Sequence, residues 1–341
     1  DIGHKFIDIC IIGLPQKADS EKKPVFECRI ENKLHHFRSF IKDLRKLNDK
    51  LGGYCIFHLA MEATGTYYLK FVTCLASEAE GLVVPYVVNP CQIKATGEVI
   101  KAKNKTDKQD ALKIASYIRF AHTESNVHPW ELPSPEMEEL RQLAHLYEDT
   151  RELIRAEKNR IHAIEQSPNM SMPTAKIRLD RIRYLEAQLE EIKKKMEDHI
   201  KKNPRIMEQA DLLRSIPGIG KISSALLLCE IGDVERFKNK KTFTAFAGIV
   251  PSEFQSGSSI NKPARITKKG SKRIRRNLYM PAMVAIKWNP LIRDFYLKLK
   301  ASGKKGKSAL IAAMKKLLQI IYGVLKTGQP FNPAYEMQRA A

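Results

Sequence analysis

The spacing of apolar residues changes character twice along this chain. Up to about residue 120, short apolar runs alternate with helix-like stretches. Ile7-Asp8-Ile9-Cys10-Ile11-Ile12 and Val25-Phe26-Glu27-Cys28-Arg29-Ile30 have the length and β-branched content of two hairpin strands. A helix is predicted from about Leu34 to Leu51, and an apolar strand from Tyr54 to Met61 that delivers Glu62 into a Gly-containing turn. A helix over Tyr67 to Ala79, a strand over Val83 to Val88 and a helix over Asp107 to Phe120 follow. Strands in a meander, then alternating with helices, predict a mixed α/β sheet with helices on its faces.

From residue 134 the period lengthens. Ser134-Pro135-Glu136 is a helix start, and Leu140, Leu143, Leu146, Tyr147, Leu153, Ile154, Ile161 and Ile164 recur at three and four. The segment 166–173, with its two prolines, breaks the run, and a second charged helix carries Ile182, Leu185, Leu189, Ile192 and Met196. The pair reads as an antiparallel helical hairpin or coiled coil, serving as a spacer or as a dimerisation arm. From about Asp211 the chain is mainly helical, including an apolar helix from Ser308 to about Lys326. Three regions are therefore expected: 1–130, 131–205 and 206–341.

Charge sharpens this division. The chain of 341 residues carries 59 Lys and Arg against 38 Asp and Glu, a net charge of +21, which suits a nucleic-acid binder. From Pro251 onward there are 19 Lys and Arg against three acidic residues (Glu253, Asp294, Glu336), so the basicity is concentrated in the last quarter. No apolar stretch is expected to span a membrane. The six cysteines form no CxxC pair and read as small buried hydrophobes of a reducing cytosol, and the scattered histidines argue against zinc.

Against this basic background four carboxylates stand out. Asp1, Glu62, Asp107 and Asp110 lie where strands end or a helix begins, and the spacing of three puts Asp107 and Asp110 on one helix face. Carboxylates gathered in this way make a hard, oxygen-only site suited to Mg²⁺ and to phosphodiester chemistry.

The basic quarter supplies further candidates. Ser215-Ile216-Pro217-Gly218-Ile219-Gly220-Lys221 matches a helix-hairpin-helix signature, in which Gly218, Gly220 and Lys221 present backbone N–H groups and a cation to phosphate. The stretch Ser256-Gly257-Ser258-Ser259 is by itself a flexible loop. It is followed by Lys262, Arg265, Lys268, Lys269, Lys272, Arg273, Arg275 and Arg276, eight cations in fifteen residues with no acid among them. Such groups hold a scissile phosphate and stabilise its developing charge, which makes a nearby serine a candidate nucleophile. Lys304, Lys305 and Lys307 are either backbone contacts to nucleic acid or a solvated loop.

Taken in order, Asp1-Ile2-Gly3-His4-Lys5, Glu62-Ala63-Thr64-Gly65, Asn104-Lys105-Thr106-Asp107-Lys108-Gln109-Asp110-Ala111, Ile216-Pro217-Gly218-Ile219-Gly220, Ser256-Gly257-Ser258-Ser259 and the tail Gly303-Lys304-Lys305-Gly306-Lys307 resemble the DEDD transposases of insertion-sequence family 110, the bridge-RNA-guided recombinases. The resemblance implies a RuvC-like, RNase H-type N-terminal domain whose carboxylates Asp1, Glu62, Asp107 and Asp110 bind Mg²⁺. It implies a C-terminal transposase domain with Ser256 as nucleophile, joining DNA through a phosphoserine bond. It also implies donor and target double-stranded DNA, a structured bridge RNA, dimers that pair into tetramers, no membrane, and a cytoplasmic, nucleoid-associated location in a bacterium. The family pattern has a strand before Asp1, so a short piece is expected to precede the numbering. The sequence also admits two other readings. One is a RuvC-like, structure-selective endonuclease such as a junction resolvase, with water as nucleophile. The other is a catalytically idle RNA-binding scaffold.

Overall fold

The computed structural model describes residues 1–13, 24–63, 65–90, 93–94, 106–123, 127–166, 172–256, 260–266 and 270–334. Two compact units are present, Asp1–Leu132 and Pro133–Ala341.

The first unit holds two strand pairs. Strands β1 (Phe6–Ile12) and β2 (Pro24–Glu31) are antiparallel, with Phe6 opposite Glu31 and Ile11 opposite Phe26. Helix α1 (Leu34–Lys50) follows. Its buried residues Phe37, Phe40, Ile41 and Leu44 keep the three-and-four spacing that lays one stripe against the strands. Each such side chain contributes about 1.5–3 kcal/mol on leaving water. Strand β3 (Phe57–Glu62), helix α2 (Leu69–Glu78) and strand β4 (Val83–Val88) form a βαβ unit. β3 and β4 are parallel, with Glu62 opposite Val88. Phe71 of α2 meets Phe37 and Phe40 of α1, with ring centroids 5.0 and 6.0 Å apart. Helix α3 (Asp107–Thr123) packs on β1 and β3, and its Ile114, Tyr117, Ile118 and Ala121 share a small core with Tyr86 and Val88. Among the described residues the two pairs are separate two-stranded sheets rather than one continuous mixed sheet.

The second unit begins with two 31-residue helices, α4 (Pro135–Glu165) and α5 (Met172–Lys202). Ser134 caps α4, its Oγ accepting from the N–H of Met137. The helices run antiparallel: the His199 ring bonds the Glu136 carbonyl at one end of the pair, while Glu157 meets Arg178 and Arg181 towards the other. Glu157 is buried and holds Arg160, Arg178 and Arg181 at 2.6, 2.7 and 3.1 Å. Arg178 holds this carboxyl below the usual carboxylate range, against the opposing effect of burial, with help from Arg160 and Arg181. At the opposite end Leu140, Ala144, Ile192, Met196 and Ile200 enter the main core of the unit.

That core is built by α6 (Pro204–Arg214), α7 (Lys221–Ile231), a 3₁₀ turn (Val234–Arg236), α8 (Lys240–Phe246), α9 (Lys272–Trp288), α10 (Pro290–Ala301) and α11 (Gly306–Thr327). By length and composition α11 is apolar enough to cross a membrane, unlike anything expected from the sequence, but Ala313, Leu317, Leu318 and Ile321 are fully enclosed in the core. Between α8 and α9 stands an antiparallel hairpin, β5 (Pro251–Ser256) and β6 (Ile260–Ile266), whose strands flank the Ser256–Ser259 stretch that the sequence suggested as a loop. Pro263 within β6 fits an edge strand rather than a sheet interior.

Candidate functional site

The acidic residues approach one another through the strands of the first unit. The register of β1 returns the chain so that the Asp8 N–H donates to the Asp1 carbonyl at 2.9 Å, and the Asp1 nitrogen donates to the Asp8 carbonyl at 2.7 Å. Glu62 ends β3, and α3 brings Asp107 and Asp110 in its first turn alongside β1 and β3. The segments that carry Asp1, Glu62 and the Asp107/Asp110 pair therefore meet in one region of the first unit.

In that region the charges are partly paired. Arg29 of β2 donates from Nε and Nη2 to the buried carboxylate of Asp8, and from Nη2 to Asp107 Oδ2 at 2.9 Å. Lys113 Nζ meets Asp110 Oδ1 at 2.7 Å. Among the described residues no three of Asp, Glu, His or Cys stand close enough to hold a metal ion in this arrangement. The donor chemistry nevertheless fits a hard divalent cation: every group is a carboxylate, and a guanidinium already bridges two of them. Asp8 is the site residue that the sequence reading missed. Its only signal is a charge between the core residues Ile7 and Ile9.

In the second unit the candidates separate into two kinds. Gly218 has φ of +111°, and a Cβ there would come within 2.8 Å of Ala285 and of the Pro281 carbonyl, so it is the close-approach point between its turn and α9. Gly220 is the exposed N-cap of α7, open to solvent, and Lys221 beside it pairs with Glu197 at 2.7 Å. Arg273 pairs with Glu148 at 3.2 Å and lies against His145, and Arg276 pairs with Glu148 at 2.8 Å and with Glu152. Arg275 Nη1 donates to the carbonyls of Ala247 and Gly270, each at 2.9 Å. Burial of Glu230 raises its pKa, but the hydrogen bond to His145 and the charge of Arg273 outweigh it and hold the carboxyl below the usual range. Lys272, Lys304, Lys305 and Lys307 are exposed, and none has an ion-pair partner among the described residues. Lys304 and Lys305 lead into the N-terminus of α11.

Ser256 closes β5, paired in register with Ile260. Arg265 lies in β6. Gly257, Ser258, Ser259, Lys268, Lys269, Thr64, Asn104 and Lys105 lie outside the described residues.

Comparison with known proteins follows this division. Residues 1–166, which hold the acidic group, match a family model described as a transposase. Residues 210–297, which hold Gly218, Ser256 and the basic run to Arg276, match a family model described as the transposase IS116/IS110/IS902 family. Over 276 residues, 81% of this chain and 82% of the relative, the sequence is 32% identical to the pilin gene-inverting protein of Moraxella bovis. The chain belongs to the IS110 family of transposases. This transposase is also 35% identical, over 101 residues, to the transposase of insertion element IS1328 from Yersinia enterocolitica, covering 30% of this chain and 29% of the relative. It is similar over 117 residues (34% of this chain, 29% of the relative), at 26% identity, to a protein of insertion element IS110 from Streptomyces coelicolor. Lys304, Lys305 and Lys307 of the transposase lie beyond both family-model matches.

Proposed function

We propose that this transposase cuts and rejoins DNA through a covalent phosphoserine bond at Ser256, assisted by a divalent cation held by Asp1, Glu62, Asp107 and Asp110. The observation that carries the reading is the packing of α3, whose first turn holds Asp107 and Asp110, against β1 beside Asp1 and against β3, which ends at Glu62, inside a strongly basic chain. A RuvC-like description of the first unit and a helical arm that mediates dimer and tetramer assembly belong to the same reading. So do a structured RNA that supplies sequence specificity, with Lys304, Lys305 and Lys307 on nucleic-acid backbone, and action on the nucleoid in a bacterial cytoplasm.

Mg²⁺ bound by these carboxylates supplies Lewis-acid neutralisation of phosphate charge. The rest falls to the chain. Ser256 Oγ forms a bond to phosphorus as the bond to the leaving deoxyribose oxygen breaks, and the serine proton passes to solvent while the leaving oxygen takes one up. Rejoining reverses the exchange with a different DNA hydroxyl, and Ser256 regains its proton. No phosphodiester energy is lost to water. A relative named for inverting a gene supports rejoining over simple cutting, because inversion leaves both ends joined.

The test is cleavage by Ser256→Ala and by Asp107→Asn in the presence of Mg²⁺. Both are expected to lose activity by a factor on the order of 10² or more. Normal cleavage by Ser256→Ala together with loss in Asp107→Asn would instead assign the chemistry to water, as in a structure-selective nuclease.

A further inference from the structure

The β5–β6 hairpin leaves the core between two glycines. At its root Gly248 is buried with φ of +66°, and a Cβ there would stand 2.5 Å from Arg275 Nη1 and 2.7 Å from the Gly270 nitrogen. A Cβ on Gly270 would stand 2.2 Å from the Phe246 carbonyl oxygen. The two chain ends therefore touch backbone to backbone, and neither position has room for a side chain. Across this contact the Ser271 N–H donates to the Phe246 carbonyl at 2.8 Å. Arg275 then spans it, giving one N–H to Ala247 before the hairpin and one to Gly270 after it, both at 2.9 Å.

The helix that carries Arg275 is itself fixed at this end. Ser271 caps α9 by accepting from the Ile274 N–H, and its hydroxyl donates to Glu230 of α7 at 3.2 Å. Arg273 and Arg276, on either side of Arg275, hold the buried Glu148 of α4. The root of the hairpin is thus tied to α4, α7, α8 and α9, while Ser256 stands at its far end, opposite Ile260. Five residue steps from Pro251 to Ser256 make a lever of roughly 17 Å, so a rocking of about 4° at the root moves the far end by about 1 Å. A misplacement of about 1 Å at a reacting group costs on the order of 100-fold in rate.

We propose that Arg275 is a positioning residue for the Ser256 hairpin: its guanidinium closes the root by bridging the Ala247 and Gly270 carbonyls, and it does not contact nucleic acid. This rests on the reading of Ser256 as the nucleophile. Both N–H groups of its Nη1 are committed to backbone oxygens, and the planar guanidinium fixes their directions in a way that a lysine ammonium on a flexible stem reproduces only in part.

The experiment uses the full chain expressed in cells from a plasmid carrying the complete element that encodes it. Covalent protein–DNA adduct is recovered by denaturing precipitation, and total DNA association is measured by native recovery. Arg275→Ala is expected to keep native DNA recovery within about threefold while adduct falls about 100-fold or more. Arg275→Lys is expected to regain part of the adduct, and Gly270→Ala to lose it with Arg275 intact. On the purified chain, hydrogen exchange at the Ser271 amide is expected to rise about tenfold or more in Arg275→Ala, because that amide closes the root. Adduct within twofold of wild type in Arg275→Ala would overturn the proposal. So would parallel loss of native DNA recovery, which marks a nucleic-acid contact, or unchanged exchange at Ser271. If Arg275→Ala does not fold, Arg275→Lys and Gly270→Ala carry the same comparison. If the wild type gives no adduct that Ser256→Ala abolishes, it is the serine reading that fails, and the exchange measurement still judges the closure of the root.

Discussion

Two basic stretches of this transposase look alike in composition and differ in what their cations do. Arg273, Arg275 and Arg276 are engaged within the unit, by Glu148, Glu152, Glu230 and two backbone carbonyls. Lys304, Lys305 and Lys307 have no such partners among the described residues and stand in solvent. The residue types match the difference. Guanidinium, planar and weakly hydrated, suits half-buried forks, whereas ammonium on a flexible stem suits a mobile contact to phosphate. Charge that looks uniform in sequence is therefore divided in the fold: part of it is paired within the unit and part of it stands in solvent.

The largest effect expected from this comparison is on stability. Glu148→Ala removes the buried carboxylate that Arg273 and Arg276 share, leaving them Glu230 and Glu152, and leaves Asn277 without its acceptor; it is expected to cost about 1–3 kcal/mol in chemical denaturation. A loss below about 1 kcal/mol would mean that the paired charges contribute little.

The next effect is on binding. Replacing Lys304, Lys305 and Lys307 together by Ala is expected to lower the slope of log affinity against log salt by about 0.9 for each phosphate no longer neutralised, with little change in melting temperature. Arg273→Ala is expected to do the reverse, lowering the melting temperature and leaving the slope unchanged. If both variants changed the slope equally, the comparison would collapse.

The smallest effect concerns pH. Glu230 has a folded pKa below its ordinary 4.5, so its contribution is fully present above that value and is lost as pH falls through the lower folded value. Melting temperatures followed from pH 7 to pH 3 are expected to drop less steeply for Glu230→Gln than for the wild type over the acid end of that range. An identical acid dependence would remove Glu230 from the paired charges.

The sequence made some of this legible and concealed the rest for physical reasons. Local period was enough for α1, α4, α5 and α11, because each buries one stripe or a whole apolar helix against a core. Glu62 and the Asp107/Asp110 pair were visible because strand ends and first helical turns are local features. The β5–β6 hairpin was not, since Ser252-Glu253-Phe254-Gln255 and Asn261-Lys262-Pro263 lack the apolar alternation that announces a strand. Glu148 and Glu152, which meet Arg273 and Arg276, lie more than a hundred residues away on α4, and the bridge from Asp8 through Arg29 to Asp107 spans three elements. The sequence setting of Gly218 is that of an exposed turn, and its neighbours in space, Pro281 and Ala285, are not legible from it. Pairings of this kind exist only once the chain has folded.

The proposed chemistry turns on whether the attacking atom comes from Ser256 or from water. The most direct measurement is to trap the protein on DNA from the complete element, digest both, and map the residue that retains phosphate by mass spectrometry. A serine nucleophile gives a single phosphorylated peptide containing Ser256, absent from Ser256→Ala. Cleaved DNA with free ends and no protein-linked phosphate would contradict it.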